Sequence, residues 1–512
     1  MSSQLSVALV ALIVLYGFNF CSASNILVVC AVGSHSHSIW CNKLAEVLVN
    51  KGHQVTILDT DPPRKKLANL TTYTLEGGYD YAGDVDYKQI SSGGTTFAVD
   101  FYLHCNKIIC EAMIYSPTFK RFLSEHSHKE KPFDLVIFDV TAGDCFLGIV
   151  SALGNPKLVL VTAFGEAAGL YLMYSEGHSA HSPMFLSLQT HPMGLFEKLE
   201  NLFYNVYYYY HRRSYMNDMD TVSKDVFGNS APHIIDIGRS AAVALVNSHP
   251  ILDDAKYYSP AIVQIPGFHI DEPKKLDAET QAFLDGATHG AIYFSLGTNI
   301  QSAGMSKETI STFLNVFKKL KQRVLWKFED ESLKNLPENI KISKWFSQND
   351  ILAHPNIKLF ITHCGLLSTQ EAIHHGVPMI AIPFWLDQHV LTKKLFDKGV
   401  VFPLSYSNLY EDSVQNAIEE VLTNTKYTTE IKRWSKIFRD RPVKPKELAA
   451  YWVEHVLKND DHKYLQPVET TLCPLELALF DLKTMLGVLI GLLLSYLLNC
   501  RSTKEKRKLK KP

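Results

Sequence analysis

Residues 345–388 read WFSQNDILAHPNIKLFITHCGLLSTQEAIHHGVPMIAIPFWLDQ, and they carry the clearest pattern of secondary structure in the chain. Residues 357–362 are apolar and β-branched, which is typical of a buried parallel strand. Residues 363–365 predict a tight turn, 366–375 a helix and 379–384 a second buried strand. A strand, a short turn, a helix and another buried strand form a βαβ unit, so the stretch predicts an open α/β sheet.

The turn of this unit carries the groups that a nucleotide needs. In open α/β sheets, ligands bind at the carboxyl ends of strands and beside helix N-termini, where free N–H groups favour a diphosphate. The candidate contacts are a stacking ring, an amide, phosphate donors and a carboxylate for ribose, supplied by Trp345, Gln348, His363, Gly365, Ser368 and Glu371. The stretch therefore predicts a nucleotide site. The alternative is a Rossmann-like unit in which the histidine is simply buried.

The same residues resemble the signature of the UDP-glycosyltransferases, which are the UDP-glucuronosyl- and UDP-glucosyltransferases of animals and plants. The match is long and has many points: Trp345, Gln348, THCG at 362–365, Ser368, Gln370, Glu371, HGVP at 375–378, Asp387 and Gln388. Cys364 stands where animal members usually carry glycine, and it looks more like the plant members. Because the backbone N–H groups remain, we expect phosphate binding to persist.

The resemblance implies an α/β protein of the GT-B fold, in which two Rossmann-like domains face each other. The first domain would bind the acceptor, and the second would bind a UDP-sugar. The sugar hydroxyls would contact Asp387 and Gln388.

Composition limits the function classes. With 512 residues, two domains are expected, and 46% hydrophobic content is ample for their cores. The net charge of −1 gives no general reason to expect a nucleic-acid partner. The nine cysteines show no CxxC pair or metal-ligand spacing, and a disulfide such as Cys105 with Cys110 stays open.

Both termini predict attachment to a membrane. Residues 1–23 resemble a secretory signal peptide, with an uncleaved anchor as the alternative. Residues 484–500 are apolar and predict a transmembrane helix, and the basic tail 501–512 predicts a cytosolic end that resembles a retrieval signal. We therefore expect a single-pass type I protein of the endoplasmic reticulum membrane with lumenal catalytic domains. Asn69 is in a glycosylation sequon that fits this topology.

The first domain opens with a second βαβ pattern. A strand is predicted over 26–31, a helix over 39–50 and a strand over 55–58, with His35 and His37 in the first turn. The positive end of a helix disfavours an imidazolium, which leaves a neutral histidine available as a base. The resemblance extends to this turn, where its spacing to the Gly-His-x-Val-Thr run selects His37 as the general base. The alternative for either histidine is a helix cap or a surface position.

A base that accepts a proton needs a carboxylate to hold its ring and balance its charge. Asp139 follows the predicted strand 135–138, and Asp144 lies five residues further on. The family resemblance points to Asp139, whereas the run Asp-Cys-Phe-Leu-Gly resembles insect members and makes Asp144 the rival. Asp139 is slightly favoured, and the other aspartate is expected to cap a helix.

Residues 24–258 are predicted to form the acceptor domain, 259–275 a proline-containing linker and 276–480 the UDP-sugar domain. Residues 165–230 are predicted to be irregular and aromatic. Such a segment could line an apolar acceptor cleft, lie on a membrane surface, or simply pack in the core.

The second domain supplies three further candidates for contacts with the diphosphate. Ser295 and Thr298 come at the end of a predicted strand and can donate to a phosphate. Lys327 ends the strand 324–327 and could balance the charge of a diphosphate, with a solvated strand end as the alternative.

The resemblance implies an inverting transfer of a hexose from a UDP-sugar to a small lipophilic acceptor such as a phenol, pigment or xenobiotic. Glucose is favoured over glucuronate, because Asp387 and Gln388 offer no cation for a sugar carboxylate and the aspartate run looks insect-like. A UDP-glucuronosyltransferase, or a non-catalytic membrane carrier of small apolar ligands, is the alternative. The intact His37 and Glu371 argue against the carrier.

No cofactor or metal is expected besides the UDP-sugar. Asp-x-Asp triplets, which hold divalent ions in glycosyltransferases of another fold, occur at 59–61, 84–86 and 218–220. None of them follows a predicted nucleotide-binding strand. The expected partners are the UDP-sugar, the acceptor and membrane lipid, and a homo-oligomer is left open.

Overall fold

The structure is a computed structural model that describes residues 23–80, 87–165, 170, 183–253, 258–330, 333–385, 387–466, 486, 487, 489–493, 495 and 496. The predicted signal peptide (except residue 23), the basic tail and much of the predicted span 484–500 lie outside these residues. Within the described part of the chain, no helix combines the length and apolarity needed to cross a membrane.

The first half of the chain builds a parallel sheet of seven strands around a single large core. Its strands, in chain order, are β1 Asn25–Cys30, β2 Gln54–Asp59, β3 Leu70–Thr74, β4 Leu135–Asp139, β5 Lys157–Thr162, β6 Val243–Val246 and β7 Ile262–Gln264. The spatial order is β3-β2-β1-β4-β5-β6-β7, so the strand order reverses between β1 and β4. This position is a topological switch point, where ligands bind in open α/β sheets.

The second half builds a parallel sheet of six strands. They are β8 Ala291–Ser295, β9 Arg323–Lys327, β10 Ile340–Ser343, β11 Ile357–Thr362, β12 Met379–Ala381 and β13 Val401–Pro403, in the order β10-β9-β8-β11-β12-β13. Successive residues of β8 enter different cores, with Tyr293 in one and Ile292 and Phe294 in the other. The sheet is therefore covered on both faces, as parallel sheets are, and its switch point lies between β8 and β11.

Helices connect the strands of both sheets. In the described residues, the helices are α1 His35–Asn50, α2 Tyr87–Ser92, α3 Thr95–Ile114, α4 Pro117–His126, α5 Ile149–Ala152, α6 Leu195–Phe227, α7 Ile234–Arg239, α8 Pro250–Asp253, α9 Ala278–Asp285, α10 Lys307–Lys319, α11 Gln348–Leu352, α12 Leu366–His375, α13 Asp387–Asp397, α14 Glu411–Thr423, α15 Thr425–Arg439 and α16 Pro445–Lys458. Short 3₁₀ helices cover Asp144–Gly148, Ser302–Gly304, Tyr406–Asn408 and Lys463–Leu465.

The two halves are interlocked rather than joined by a free linker. The predicted linker 259–275 contains β7, which pairs with β6 and completes the first sheet. Helix α16, although near the end of the described chain, returns to pack against α1, β5 and β6 of the first half.

The region 165–230, predicted to be irregular, contains the long helix α6. The prediction is wrong for residues 195–227, and the pattern was hard to read because the apolar residues of this helix do not keep to one face. Its buried side includes Asn201, Asn205 and Arg212, while several of its aromatic residues are exposed. The same helix also buries Tyr215, Met216 and Met219, so its apolar residues lie on both the buried and the exposed side. The usual pattern of apolar residues on the inward face alone is therefore weak.

The structure pairs Cys110 with Cys145 in a disulfide and leaves Cys105 as a buried free thiol. Pairing Cys105 with Cys110 is wrong, because both lie on α3 five positions apart and project from different sides of the helix. Cys145 lies in the 3₁₀ helix Asp144–Gly148, which packs against α3. The sequence alone offered no spacing that would identify this pair.

Candidate active site

A cavity of about 380 Å³ lies between the carboxyl ends of the two sheets. The first half contributes His37 and an apolar wall from α3, and the second half contributes the turns that follow β8 and β11. All of the predicted UDP- and sugar-binding residues line this one cavity: Ser295, Thr298, Lys327, Trp345, Gln348, His363, Gly365, Ser368, Glu371, Asp387 and Gln388. Both switch points therefore face the same space.

His37 lies in the first turn of α1, since the helix begins at His35 rather than at the predicted residue 39. Its Nδ1 is 2.9 Å from Oδ2 of Asp139, the last residue of β4. A carboxylate can only accept, so Nδ1–H donates and Nε2 keeps its lone pair. The Thr141 N–H donates to the other carboxylate oxygen at 3.0 Å. The result is a buried His–Asp pair whose imidazole is fixed in the tautomer of a general base.

Asp144 does not contact His37 and does not cap a helix. Arg212 of α6 donates to its Oδ1 at 2.9 Å, and the Tyr215 hydroxyl donates to its Oδ2 at 3.2 Å. The Asp144 and Arg212 side chains are at most 1% exposed. This is a buried ion pair that joins α6 to the loop after β4.

His35, the other histidine of the turn, belongs to a separate network. Its Nδ1 is 2.7 Å from Asp61 Oδ1, and the Tyr79 hydroxyl donates to the same carboxylate oxygen at 2.6 Å. The His35 side chain is 43% exposed. The geometry therefore separates the two histidines that the sequence placed in one turn.

The donor side is built around the N-terminus of α12. Gly365 is the N-cap, and a Cβ at this position would lie 2.4 Å from His363 Nε2. The backbone φ of Cys364 is +62°, in the left-handed region that favours glycine, which accounts for the glycine that animal members carry here. Backbone N–H groups and the positive end of the helix dipole are thus directed to the cavity, where they suit a diphosphate.

His363 lies half-buried beneath this turn in its neutral form. Burial, with help from the charge of Lys327, lowers the pKa of His363 to about 4. Its Nδ1 has no hydrogen-bond partner in the described residues. A neutral, half-buried ring with an unused nitrogen is suited to a ligand oxygen in the cavity.

Ser295 and Lys327 are more constrained than the sequence suggested. The Ser295 hydroxyl accepts from the Gly297 N–H at 3.2 Å. Lys327 is buried, donates to the Gly297 carbonyl at 2.9 Å and pairs with Glu329 at 2.6 Å. Lys327 is therefore not a solvated strand end, and a carboxylate already balances its charge.

Gln348 and Glu371 form a polar pair one turn into α12. The Gln348 amide donates to Glu371 Oε2 at 2.6 Å and to the Ser368 hydroxyl at 2.9 Å. Burial raises the pKa of Glu371 to about 7, against the lowering effect of the Gln348 hydrogen bond. A carboxylate held in this way can accept two ribose hydroxyls.

This raised pKa predicts a pH-dependent affinity for the donor. As pH falls through 7, Glu371 takes up a proton and becomes a weaker acceptor, so we expect UDP-glucose affinity to fall by up to about tenfold per pH unit. His269 remains neutral across this range, because burial lowers its pKa to about 4. Asp350 does not bind Glu371, but its negative charge helps to raise the pKa of Glu371.

Calorimetric titration with UDP-glucose from pH 5.5 to 8 measures this effect. Burial also raises the pKa of Asp387 to about 7, so the quantity of interest is the difference between the parent chain and Glu371→Gln. The variant is expected to lose part of the pH dependence. Identical pH profiles for the two proteins would contradict the assignment of Glu371.

Trp345 is half-exposed at the edge of the cavity, where a base can stack on it. The guanidinium of Arg64, from the first half of the chain, lies 5.4 Å from the centroid of its ring and also contacts Asp61. The two halves of the chain therefore meet at the ring of Trp345.

Trp345→Ala is expected to weaken UDP binding by roughly 5- to 150-fold, because stacking of a base on an aromatic ring is worth ~1–3 kcal/mol. Trp345→Phe keeps a flat ring and should retain most of the affinity. The dissociation constants of the two variants for UDP check this, and an unchanged value for the alanine variant would remove Trp345 from the donor site.

Asp387 and Gln388 begin helix α13 at the sugar side. Oε1 of Gln388 accepts the Phe384 N–H at 2.9 Å, which fixes the side chain. Asp387 is half-buried, and His37 is close enough for its charge to influence the pKa of Asp387. The predicted sugar-binding acid and the predicted base therefore lie near each other.

Three further side chains of the cavity carry no signal in the sequence. His269 is buried, with Nε2 3.2 Å from the Leu367 carbonyl and 3.7 Å from Glu371 Oε1. Arg64 reaches Trp345, and Asn299 donates to the Ser34 hydroxyl at 2.9 Å across the two halves. No motif identifies these residues, because each meets its partner only after the halves come together.

The aspartates of the triplets have structural contacts. In the first, Asp59 accepts from Ser38 and Asn42; in the third, Asp218 and Asp220 face Lys107 and Lys224. Residues 84–86 lie outside the described residues. Within the described residues, the side chains of Cys30, Cys41 and Asp139 lie close enough together to hold a metal ion, and all three are buried behind His37.

Asn69 lies outside the cavity. It directly precedes β3, an edge strand of the first sheet, and is half-buried. Its carbonyl accepts the Val55 N–H at 2.9 Å.

Known proteins resemble this chain in both fold and sequence. A UDP-glucosyltransferase from Polygonum tinctorium, solved as a complex with 3,4-dichloroaniline and capable of glucosylating indoxyl, matches with a TM-score of 0.58 at 15% identity, covering 86% of this chain and all of that one. The calicheamicin glycosyltransferase CalG4 matches with a TM-score of 0.51 at 18% identity, over 85% and 99%. These neighbours support the GT-B fold with two parallel α/β sheets.

The sequence comparisons identify the family. The family model for UDP-glucuronosyl and UDP-glucosyl transferases matches residues 86–510. UDP-glucosyltransferase 2 of Dactylopius coccus is 32% identical over 450 residues, which is 87% of this chain and 86% of that one. UDP-glucuronosyltransferase 2B15 of Homo sapiens is 24% identical over 468 residues, 84% of each chain. The chain therefore belongs to the UDP-glucuronosyl and UDP-glucosyl transferase family and is a glycosyltransferase.

Proposed function

We propose that this enzyme transfers glucose from UDP-glucose to a hydroxyl of a small lipophilic acceptor by a single inverting displacement. The observation that carries the proposal is the fixed His37–Asp139 pair, 2.9 Å apart, which shares one cavity with the N-terminus of α12. A base on one side and an anion-binding turn on the other are the two groups that such a displacement requires.

In this mechanism His37 Nε2 accepts the proton of the acceptor hydroxyl as the oxygen attacks the anomeric carbon. Asp139 holds the ring and stabilises the imidazolium that forms. The bond from the anomeric carbon to the diphosphate breaks, and the N–H groups at Gly365 stabilise the charge that develops on the departing UDP. Ser368 and the neutral His363 add donors at the same position.

The acceptor wall supports a lipophilic substrate. It is formed mainly by apolar and aromatic side chains, from Ile39, Phe101, Tyr102, Ile109 and Phe164. The Tyr102 hydroxyl is already used, because it donates to the Thr141 carbonyl at 2.6 Å. A phenol, pigment or xenobiotic with one free hydroxyl suits such a surface.

The charges of the cavity support glucose as the sugar. Among the described lining residues, the lysines and arginines are Arg64, Lys274 and Lys327. Arg64 contacts Asp61, and Lys327 is paired with Glu329. The first relative named above is itself a UDP-glucosyltransferase. A glucuronate carboxylate would need a cation that the sugar-side residues Asp387 and Gln388 do not supply.

We also propose that the enzyme acts without a metal, in the lumen of the endoplasmic reticulum, and is held there by residues 484–500. The Cys110–Cys145 disulfide supports an oxidising compartment. The sequon at Asn69 fits the same compartment.

Microsomes containing the full chain test the donor and the need for metal together. Radiolabelled UDP-glucose or UDP-glucuronate is supplied with a panel of phenolic acceptors, with and without a chelator. We expect transfer from UDP-glucose that survives chelation. Preferential transfer from UDP-glucuronate would overturn the donor assignment, and loss of transfer on chelation would overturn metal independence.

A further inference from the structure

The first half of α6 exposes a row of large apolar side chains. Phe196, Leu199, Phe203, Val206 and Tyr210 follow each other at intervals of three or four residues, so they lie on one face of the helix. Their exposed fractions range from 42% to 85%. We call these five residues the apolar stripe.

Packing of the described chain does not account for the apolar stripe. The opposite face of α6 is buried, yet it carries polar groups that need partners. Asn201 accepts the Met184 N–H at 2.7 Å, and Arg212 is paired with Asp144. Tyr208 and the two methionines Met216 and Met219 supply the apolar contacts of that buried face, so the apolar stripe is additional apolar surface on the opposite, solvent-facing side. A contiguous exposed apolar patch of this kind marks an interaction surface.

The size of the apolar stripe favours lipid over a second copy of the chain. From Phe196 to Tyr210 the helix extends about 21 Å, so pairing two copies through this face alone would bury on the order of 500 Å². A stable protein interface buries roughly 1,200–2,000 Å². An amphipathic helix needs only its apolar face to lie in a bilayer interface. The apolar segment 484–500 would hold the body of the protein beside that bilayer.

We propose that the apolar stripe of α6 lies in the interface of a lipid bilayer. The inference rests on the membrane attachment proposed above and places the acceptor half of the enzyme against the membrane. Helix α6 packs on α3, and Tyr207 of α6 donates to Asp100 of α3 at 2.9 Å. Phe101 and Tyr102 of α3 line the cavity. Helix α3 therefore lies between the helix that carries the apolar stripe and the cavity that would receive acceptors from the bilayer.

Fluorescence quenching by brominated lipids tests this contact in the full-length chain. Phe203→Trp places an indole in the apolar stripe, and Tyr410→Trp places one at an exposed site of the second half as a matched control. Each protein is reconstituted in phosphatidylcholine vesicles with and without dibrominated acyl chains. The signal of the six native tryptophans is subtracted with the parent protein.

We expect the indole introduced at Phe203 to lose roughly half or more of its fluorescence in brominated vesicles, because an interfacial helix reaches the acyl-chain boundary. The indole introduced at Tyr410 should lose little. Equal quenching at the two sites, or none at Phe203, would overturn the proposal. If the Phe203→Cys variant forms a disulfide between two copies of the chain and the indole at Phe203 is not quenched, the apolar stripe contacts a second copy and not lipid. Quenching does not depend on turnover, so this result is independent of the proposed reaction.

Discussion

The His37→Ala variant is expected to lose ~10²–10⁴-fold in kcat, the usual contribution of a general base. His37 is the side chain in the cavity whose Nδ1 is held by a buried carboxylate, which leaves Nε2 for the acceptor proton. Alanine removes the base but not the donor turn at α12. Affinity for UDP should therefore be unchanged, and a kinetic assay combined with UDP titration separates the two effects.

His35→Ala is the matched control, since it removes the other imidazole of the same turn. His35 is partly exposed and pairs with Asp61. Its loss should leave kcat close to that of the parent. Retained turnover in the His37 variant, or an equal loss in both variants, would contradict the choice of base.

Asp139→Asn and Asp144→Ala are expected to fail in different ways, although both aspartates lie near the end of β4. Asp139→Asn should lower kcat, because an amide cannot balance the imidazolium and can hold the ring in the wrong tautomer. Asp144→Ala should lower the free energy of unfolding by ~3–5 kcal/mol, because it leaves the Arg212 guanidinium buried without its partner.

Chemical denaturation and steady-state kinetics of both variants measure this difference. The double variant Asp144→Ala/Arg212→Met removes both charges and should recover much of the lost stability, since an apolar replacement of a buried pair is often neutral. A stable Asp144 variant with a greatly reduced kcat would exchange the roles of the two aspartates.

The sequence predicted the boundaries of the strand and helix in the βαβ unit around residues 357–375. The apolar, β-branched run 357–362 and the helix 366–375 have the predicted boundaries, because burial on both faces of the sheet and the αL glycine at 376 leave little freedom. The strand predicted over 379–384 ends instead at Ala381, where the chain turns into the cavity wall.

The features that the sequence did not resolve depend on contacts between distant segments. Asp139 ends β4 and Asp144 follows five residues later, and they are distinguished only by their partners from distant segments, His37 and Arg212. His269 meets Glu371 across about a hundred residues. Helix α6 was missed because it has apolar residues on its exposed side and polar residues such as Asn201 and Arg212 on its buried side, which obscures the helical pattern.

The anomeric configuration of the product distinguishes a single displacement, in which His37 deprotonates the acceptor, from a mechanism with two displacements. The purified chain is incubated with UDP-α-glucose and a phenolic acceptor, and the coupling constant of the anomeric proton is read by NMR. A single displacement gives a β-glucoside, because attack from the side opposite UDP inverts the anomeric carbon. An α-glucoside would contradict it, since retention requires a different mechanism.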